Sequence, residues 1–155
     1  MTSRDPFSPT MIVSITDPAI EFASEADREK YRLTRDPSLY RVRPHAQPAL
    51  IEVAPTSAAF ALYLDGIKAA PVVAYLLSVR ACVRAVQLPT GERIEPTGLE
   101  QGLYDQPIAP EAWIETLARK LGPRRVQEIG EAAYRMSMME DADPLSLAPG
   151  PRAPS

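Results

Sequence analysis

Proline is what most limits this chain: 17 of its 155 residues are Pro, about twice the usual share of ~5%. Each one fixes φ near about −65° and removes a backbone donor, so a helix can begin on a proline but not run through one. Long uninterrupted helices are therefore not expected, and ordered segments should be short. The remainder is ordinary, with 45% hydrophobic and 24% charged residues, enough for one core burying roughly 70% of the unfolded surface. One Cys and one His exclude a disulfide framework and the usual zinc ligand sets. No metal and no other cofactor is expected. The most apolar stretch, Ala69 to Val79, ends at Arg80 and is about half the ~20 residues that a bilayer crossing needs. Residues 1–20 also lack a signal-peptide apolar run, so a soluble, cytoplasmic protein with no membrane partner is expected.

Prolines and glycines divide the chain. Met11, Val13 and Ile15 alternate with Ile12, Ser14 and Thr16, a strand over 10–16 stopped by Asp17-Pro18. Ser24 followed by Asp27 resembles a capping box and opens a polar surface helix over 25–33. Tyr40 to Arg43, and Leu50 to Val53 between Pro48 and Pro55, read as two short extended pieces. After Pro55 the spacing turns helical. Phe60, Leu64 and Ile67 follow a Thr56 or Ser57 cap. Pro71 starts the strongest helix, with Val72, Leu76, Val79 and Val83 as its core stripe, widened by Val73 and Leu77, and Arg80 and Arg84 opposite.

Leu88-Pro89-Thr90-Gly91 is a turn, followed to Pro107 by a loop or a small hairpin about Ile94. Pro110 starts a helix carrying Trp113, Ile114, Leu117 and Leu121, which Gly122 ends. Pro123 starts another carrying Val126, Ile129, Ala133 and Met136, ended by Asp143-Pro144. These two make a helical hairpin. The expected fold is mainly α, about four helices around one core. A Pro-rich N-terminal region with short strands spans 1–54, the helical domain 55–141, and a disordered Pro-rich tail 142–155.

Little of this points to catalysis. His45 sits between Pro44 and Pro48 with no nucleophile signature beside it, and Cys82 lies inside an apolar helix, the usual place of an inert thiol. The phosphate-cradle and hydrolase motifs GxxxxGK[ST], GxGxxG, GxSxG and HExxH are absent. Glu128, Glu131, Glu140, Asp141 and Asp143 read as a solvated acidic face. No catalytic or metal-binding residue is assigned. The net charge of −3 gives no overall attraction to nucleic acid. Only Arg28 to Arg43, with six basic residues against two acidic, is locally basic.

The remaining candidates are interaction surfaces. Met136, Met138 and Met139 beside Tyr134 cannot all face one core, and flexible thioethers suit varied apolar partners. The Trp113, Leu117, Leu121 stripe reads as core before it reads as contact. The segment from Thr116 to Val126 resembles a helix-turn-helix in its Ala118, its Leu-Gly turn and its Arg124-Arg125 pair. Its register fails, because Glu128 stands where that motif has an apolar residue, and nucleic acid is not the expected partner.

The order of parts, from a short extended region through a Pro-started apolar helix, the turn Pro89-Thr90-Gly91-Glu92, a loop, a Leu-Gly-closed helix and a last helix ending in Met, Ser and acidic residues, resembles the small tail assembly chaperones of long-tailed bacteriophages. The resemblance is one of pattern and covers roughly residues 50–141, most closely 71–92 and 110–141. It implies a non-enzymatic protein that coats the long, helical tape measure protein, keeps it soluble in the host cytoplasm and helps bring tail tube subunits to it. On that reading a groove between the Pro71 helix and the helical hairpin takes up partner helices, with Leu76, Val83, Trp113, Tyr134, Met136 and Met139 as contacts. A small DNA-binding regulator and a structural tail completion or head-tail joining protein stay open as alternatives, as does homo-oligomerisation.

Overall fold

The computed structural model describes residues 10–146, and the side chains as far as residue 138. The chain forms β1 (Thr10–Ile12), β2 (Ile20–Phe22), α1 (Glu25–Thr34), β3 (Tyr40–Val42), β4 (Leu50–Val53), α2 (Ala58–Gly66), α3 (Pro71–Cys82), β5 (Val83–Gln87), β6 (Arg93–Ile94), β7 (Glu100–Gln101), β8 (Pro107–Ile108), α4 (Ala112–Leu121) and α5 (Pro123–Ser146). This is a mixed α/β fold and not the mainly α fold expected from the sequence. What overturns that expectation is an antiparallel sheet in the order β1-β4-β5-β6, joined by two small antiparallel pairs, β2-β3 and β7-β8.

The sheet draws on both sides of the boundary expected at residue 55, because β4 pairs with β5 and places Ile51 opposite Val86 and Val53 opposite Val83. Its inner face, Ile12, Ile51, Val53, Val83 and Val86, joins Phe60, Leu64, Val79, Trp113, Leu117 and Ile129 in one buried cluster. The outer face is wetter: Met11 lies opposite Glu52, which is ion-paired to Arg93 at 3.1 Å. Period-two alternation thus sets one face against the helices and one toward water.

Local signals place most helix ends. The Ser24 hydroxyl accepts from the Asp27 amide at 3.1 Å, and Ser57 from the Phe60 amide at 3.3 Å, so both N-terminal caps form as the sequence indicates. Gly122, at φ 94°, ends α4 with its amide on the Ala118 carbonyl at 2.9 Å. Three spans depart from expectation. The first strand stops at Ile12, since the Val13 amide binds the Tyr31 hydroxyl and the Ile15 amide binds Glu128, which leaves neither for a strand partner. The Pro71 helix stops at Cys82, and Val83 opens β5, where a β-branched residue packs well on the pleat. The last helix runs 24 residues, since no proline interrupts residues 124–143, and it passes Asp143-Pro144 to end within the turn that holds that proline, where the missing amide costs a single helical hydrogen bond. The tail from residue 147 onward lies outside the described residues.

α3 and α5 cross closely at Gly130, where a Cβ would stand 2.5 Å from the Tyr75 carbonyl oxygen; only glycine allows that approach. α3 meets its neighbours with Ala74, Ser78, Val79, Ala81 and Cys82, all buried and all small but Val79. The larger Val72 and Val73 of the expected core stripe instead stand about half exposed, at 48% and 52%.

Candidate functional site

Three surfaces carry the residues singled out in the sequence. The first is a polar contact that docks the N-terminal segment and α1 onto α5. Arg35, in the left-handed region at φ 57° after α1, spans Glu128 and the Val13 carbonyl and lies over the Tyr31 ring at 5.0 Å. Glu128 also accepts the Ser14 hydroxyl at 2.8 Å and the Ile15 amide at 3.0 Å. One turn on, Glu131 takes Arg32 at 2.6 Å and Arg135 at 3.2 Å. Tyr31, buried and bonded twice to Val13, has its hydroxyl pKa pushed upward by that burial. α1 is therefore not the purely polar surface helix expected.

This contact uses charges that the sequence left free. Arg28, Arg32, Arg35, Arg41 and Arg43, five of the six basic residues of the basic stretch, are ion-paired to Glu25, Glu29 with Glu131, Glu128, and Glu21 for the last two. Arg125 reaches Asp17 at 3.8 Å. The start of α5, which a helix-turn-helix would offer to DNA, thus turns Arg125, Glu128 and Glu131 onto the chain's own N-terminal region.

The second surface is a pocket of about 380 Å³ beside that contact, lined by Leu33, Arg35, Pro37, Ala132, Arg135 and Met136 among others. The third lies on the other side of α3. Val72, Val73 and Leu76 share one helical face, at spacings of three and four. Leu76 walls a groove of about 540 Å³ between α3 and α4, with Glu111, Ala112, Ile114 and Glu115 as the opposite wall. One turn beyond Leu76, Arg80 leaves this face: its Nε donates to the Ala109 carbonyl at 2.8 Å and its guanidinium pairs with Glu100 at 3.5 Å.

The six contacts expected from the resemblance separate accordingly. Leu76 lies at the α3–α4 groove. Val83 and Trp113 are core, each 2% exposed, and the indole Nε1 donates to the Val83 carbonyl at 3.1 Å. They are not surface contacts, since the strand that sequence periodicity hid takes Val83 inward and α4 closes over it. Tyr134 stands half-buried, edge-on to Tyr75 at 5.8 Å. Met136 lines the pocket beside Arg35, and the Met139 side chain lies outside the described residues. The sequence reading missed Val72 and Val73 as surface residues, although an apolar helix opening on Pro-Val-Val with no charge before Arg80 carried the signal.

Catalytic groups do not converge at these places. His45 is exposed at φ 59° on a turn whose Ala46 amide binds the Arg43 carbonyl. Cys82 is fully buried against the Ser137 hydroxyl at 3.5 Å, and burial pushes its thiol up to about 11. Among the described residues no group of three His, Cys, Asp or Glu is placed to hold a metal ion, and no helix is long and apolar enough to cross a membrane. Comparison with protein-family models, with curated proteins and with solved structures finds no match.

Proposed function

We propose that this chain is a non-catalytic assembly chaperone of the phage-tail type, which holds an apolar helical segment of the tape measure protein against the outer face of α3. The observation that carries the reading is the inverted packing of α3. Ala74, Ser78, Ala81 and Cys82 face the core beside Val79, while Val72 and Val73 stand toward solvent and the half-buried Leu76, packed against the core, walls a groove. Neighbouring apolar side chains left open on one helix face beside a groove are the kind of patch that marks a protein interaction site. An amphipathic partner helix with apolar residues at three- and four-residue spacing meets that face by the usual helix-in-groove mode. The pattern resemblance supplies the identity of the partner, and recruitment of tail tube subunits follows from the same source.

The DNA-binding alternative loses support because Arg125 and five of the six basic residues of the Arg28 to Arg43 stretch are ion-paired, and the start of α5 is turned onto the chain's own N-terminal region. Affinity capture of the tagged chain from its native producing cells, with and without nuclease treatment, tests the proposal. The expected result is recovery of a very long, helix-rich protein together with tail tube subunits. Recovery of nuclease-sensitive DNA alone refutes it and favours the regulator.

A further inference from the structure

We infer that the α3–α4 groove selects its partner helix by charge, taking an apolar stripe flanked by Lys or Arg; this rests on the docking reading above and adds to it the chemistry of the occupant. The groove's apolar surface comes from Leu76 and Ile114, with Val72 and Val73 one turn before Leu76 on the same face. Both ionisable residues lining it are carboxylates, Glu111 at the N-cap of α4 and Glu115 one turn on, both exposed. The cation nearest in sequence on that helix, Arg119, touches Glu115 only at 3.9 Å, with the two side chains 70% and 81% exposed, a contact too solvated to neutralise it. Arg80, on the α3 side, is turned away to Ala109 and Glu100. A helix seated on Leu76 and Ile114 therefore runs beside two open negative charges, and basic residues flanking its stripe gain two ion pairs that acidic ones forfeit.

The carboxylates also complement the amide end of α4, so a change in them alone could act through stability. Reversing the peptide instead of the protein separates the two effects. Two labelled synthetic helical peptides share one Leu/Ile stripe and differ only in Lys or Glu flanks, and both are titrated into the full chain by fluorescence anisotropy. The Lys-flanked peptide should bind about five- to tenfold tighter at low salt, the size that two exposed pairs supply, and the ratio should approach one as salt screens them. The double variant Glu111→Lys, Glu115→Lys should invert the preference.

Equal binding of both peptides, unaltered by that double variant, overturns charge selection and leaves the docking face standing. Failure of both peptides to bind, or binding indifferent to Val73→Glu, overturns both readings. Concentration-dependent dimerisation of the chain that Val73→Glu abolishes overturns the proposal by assigning the face to a second copy.

Discussion

Arg35 and Glu128 stand 93 residues apart in sequence and form an ion pair with their side chains only 6% and 11% exposed. The pair, with the Ser14 and Ile15 donors on the same carboxylate, fastens the N-terminal segment and the end of α1 to α5. Glu128→Gln keeps the shape and an acceptor oxygen but leaves the Arg35 charge buried and unpaired, which costs about 3–5 kcal/mol. Replacing both residues with apolar ones should cost less than the sum of the single changes, since neither charge is then stranded. Urea unfolding of the parent, Glu128→Gln, the two apolar single variants and the apolar double variant measures this; a Glu128→Gln protein as stable as the parent contradicts it.

None of this pairing was legible in the sequence, because contacts between distant residues leave no local period. What was legible is local: the Ser24 and Ser57 caps, Gly122 as a helix stop, and the Leu88-Pro89-Thr90-Gly91 turn, which closes with the Gly91 amide on the Leu88 carbonyl at 2.9 Å. Three strands were legible too, since β1, β3 and β4 fall within the extended pieces read at 10–16, Tyr40 to Arg43 and Leu50 to Val53, whereas β2, β7 and β8, at two or three residues each, are too short to carry a period. β5 was hidden for a further reason: Val79 and Val83 are four apart, so a helical stripe continues across a break that only pairing with β4 imposes. Of the same four-step pattern Leu76 packs partly and Val79 fully into the core, but Val72 only looked like core. Gly130 and the small residues of α3 decide otherwise, by letting α3 lie on α5 through its small-residue face.

Gly130→Ala should destabilise the protein by about 1–3 kcal/mol, the usual cost of forcing one extra carbon into a packed contact. The added Cβ meets backbone, the Tyr75 carbonyl, which cannot swing aside as a side chain can. A thermal melt compares the two proteins, and an unchanged midpoint would show that the crossing is looser than described.

Cys82 makes stability pH-dependent on the alkaline side. Its thiol sits near 11 in the fold against 9.0 for an unperturbed group, through burial, so the folded state holds the proton more tightly than the unfolded one. The contribution is fully present below about pH 9 and is lost as pH rises toward 11, by about 3 kcal/mol over two pH units. Cys82→Ala should flatten that part of the stability curve, measured by urea unfolding at intervals of pH. Native Cys82 should also resist a thiol reagent at pH 8 and react once unfolded; rapid reaction of the native chain would place the thiol at the surface.

Trp113→Phe removes the buried hydrogen bond from the indole to the Val83 carbonyl, a loss of about 1 kcal/mol. Because Trp113 belongs to the core and not to the docking face, partner binding by the folded variant should match that of the parent. Lost binding at unchanged stability, read by isothermal titration and a melt on the same samples, would return Trp113 to the interface.

The outward face of α3 is tested most directly by the soluble yield of the tape measure protein when it is co-produced with this chain, comparing the parent with Val73→Glu. Val73 is 52% exposed, and a charge on the surface there should shift stability by no more than about 0.5 kcal/mol. The account predicts a normally folded Val73→Glu protein that no longer keeps its partner in solution. An equal soluble yield with both proteins would contradict it.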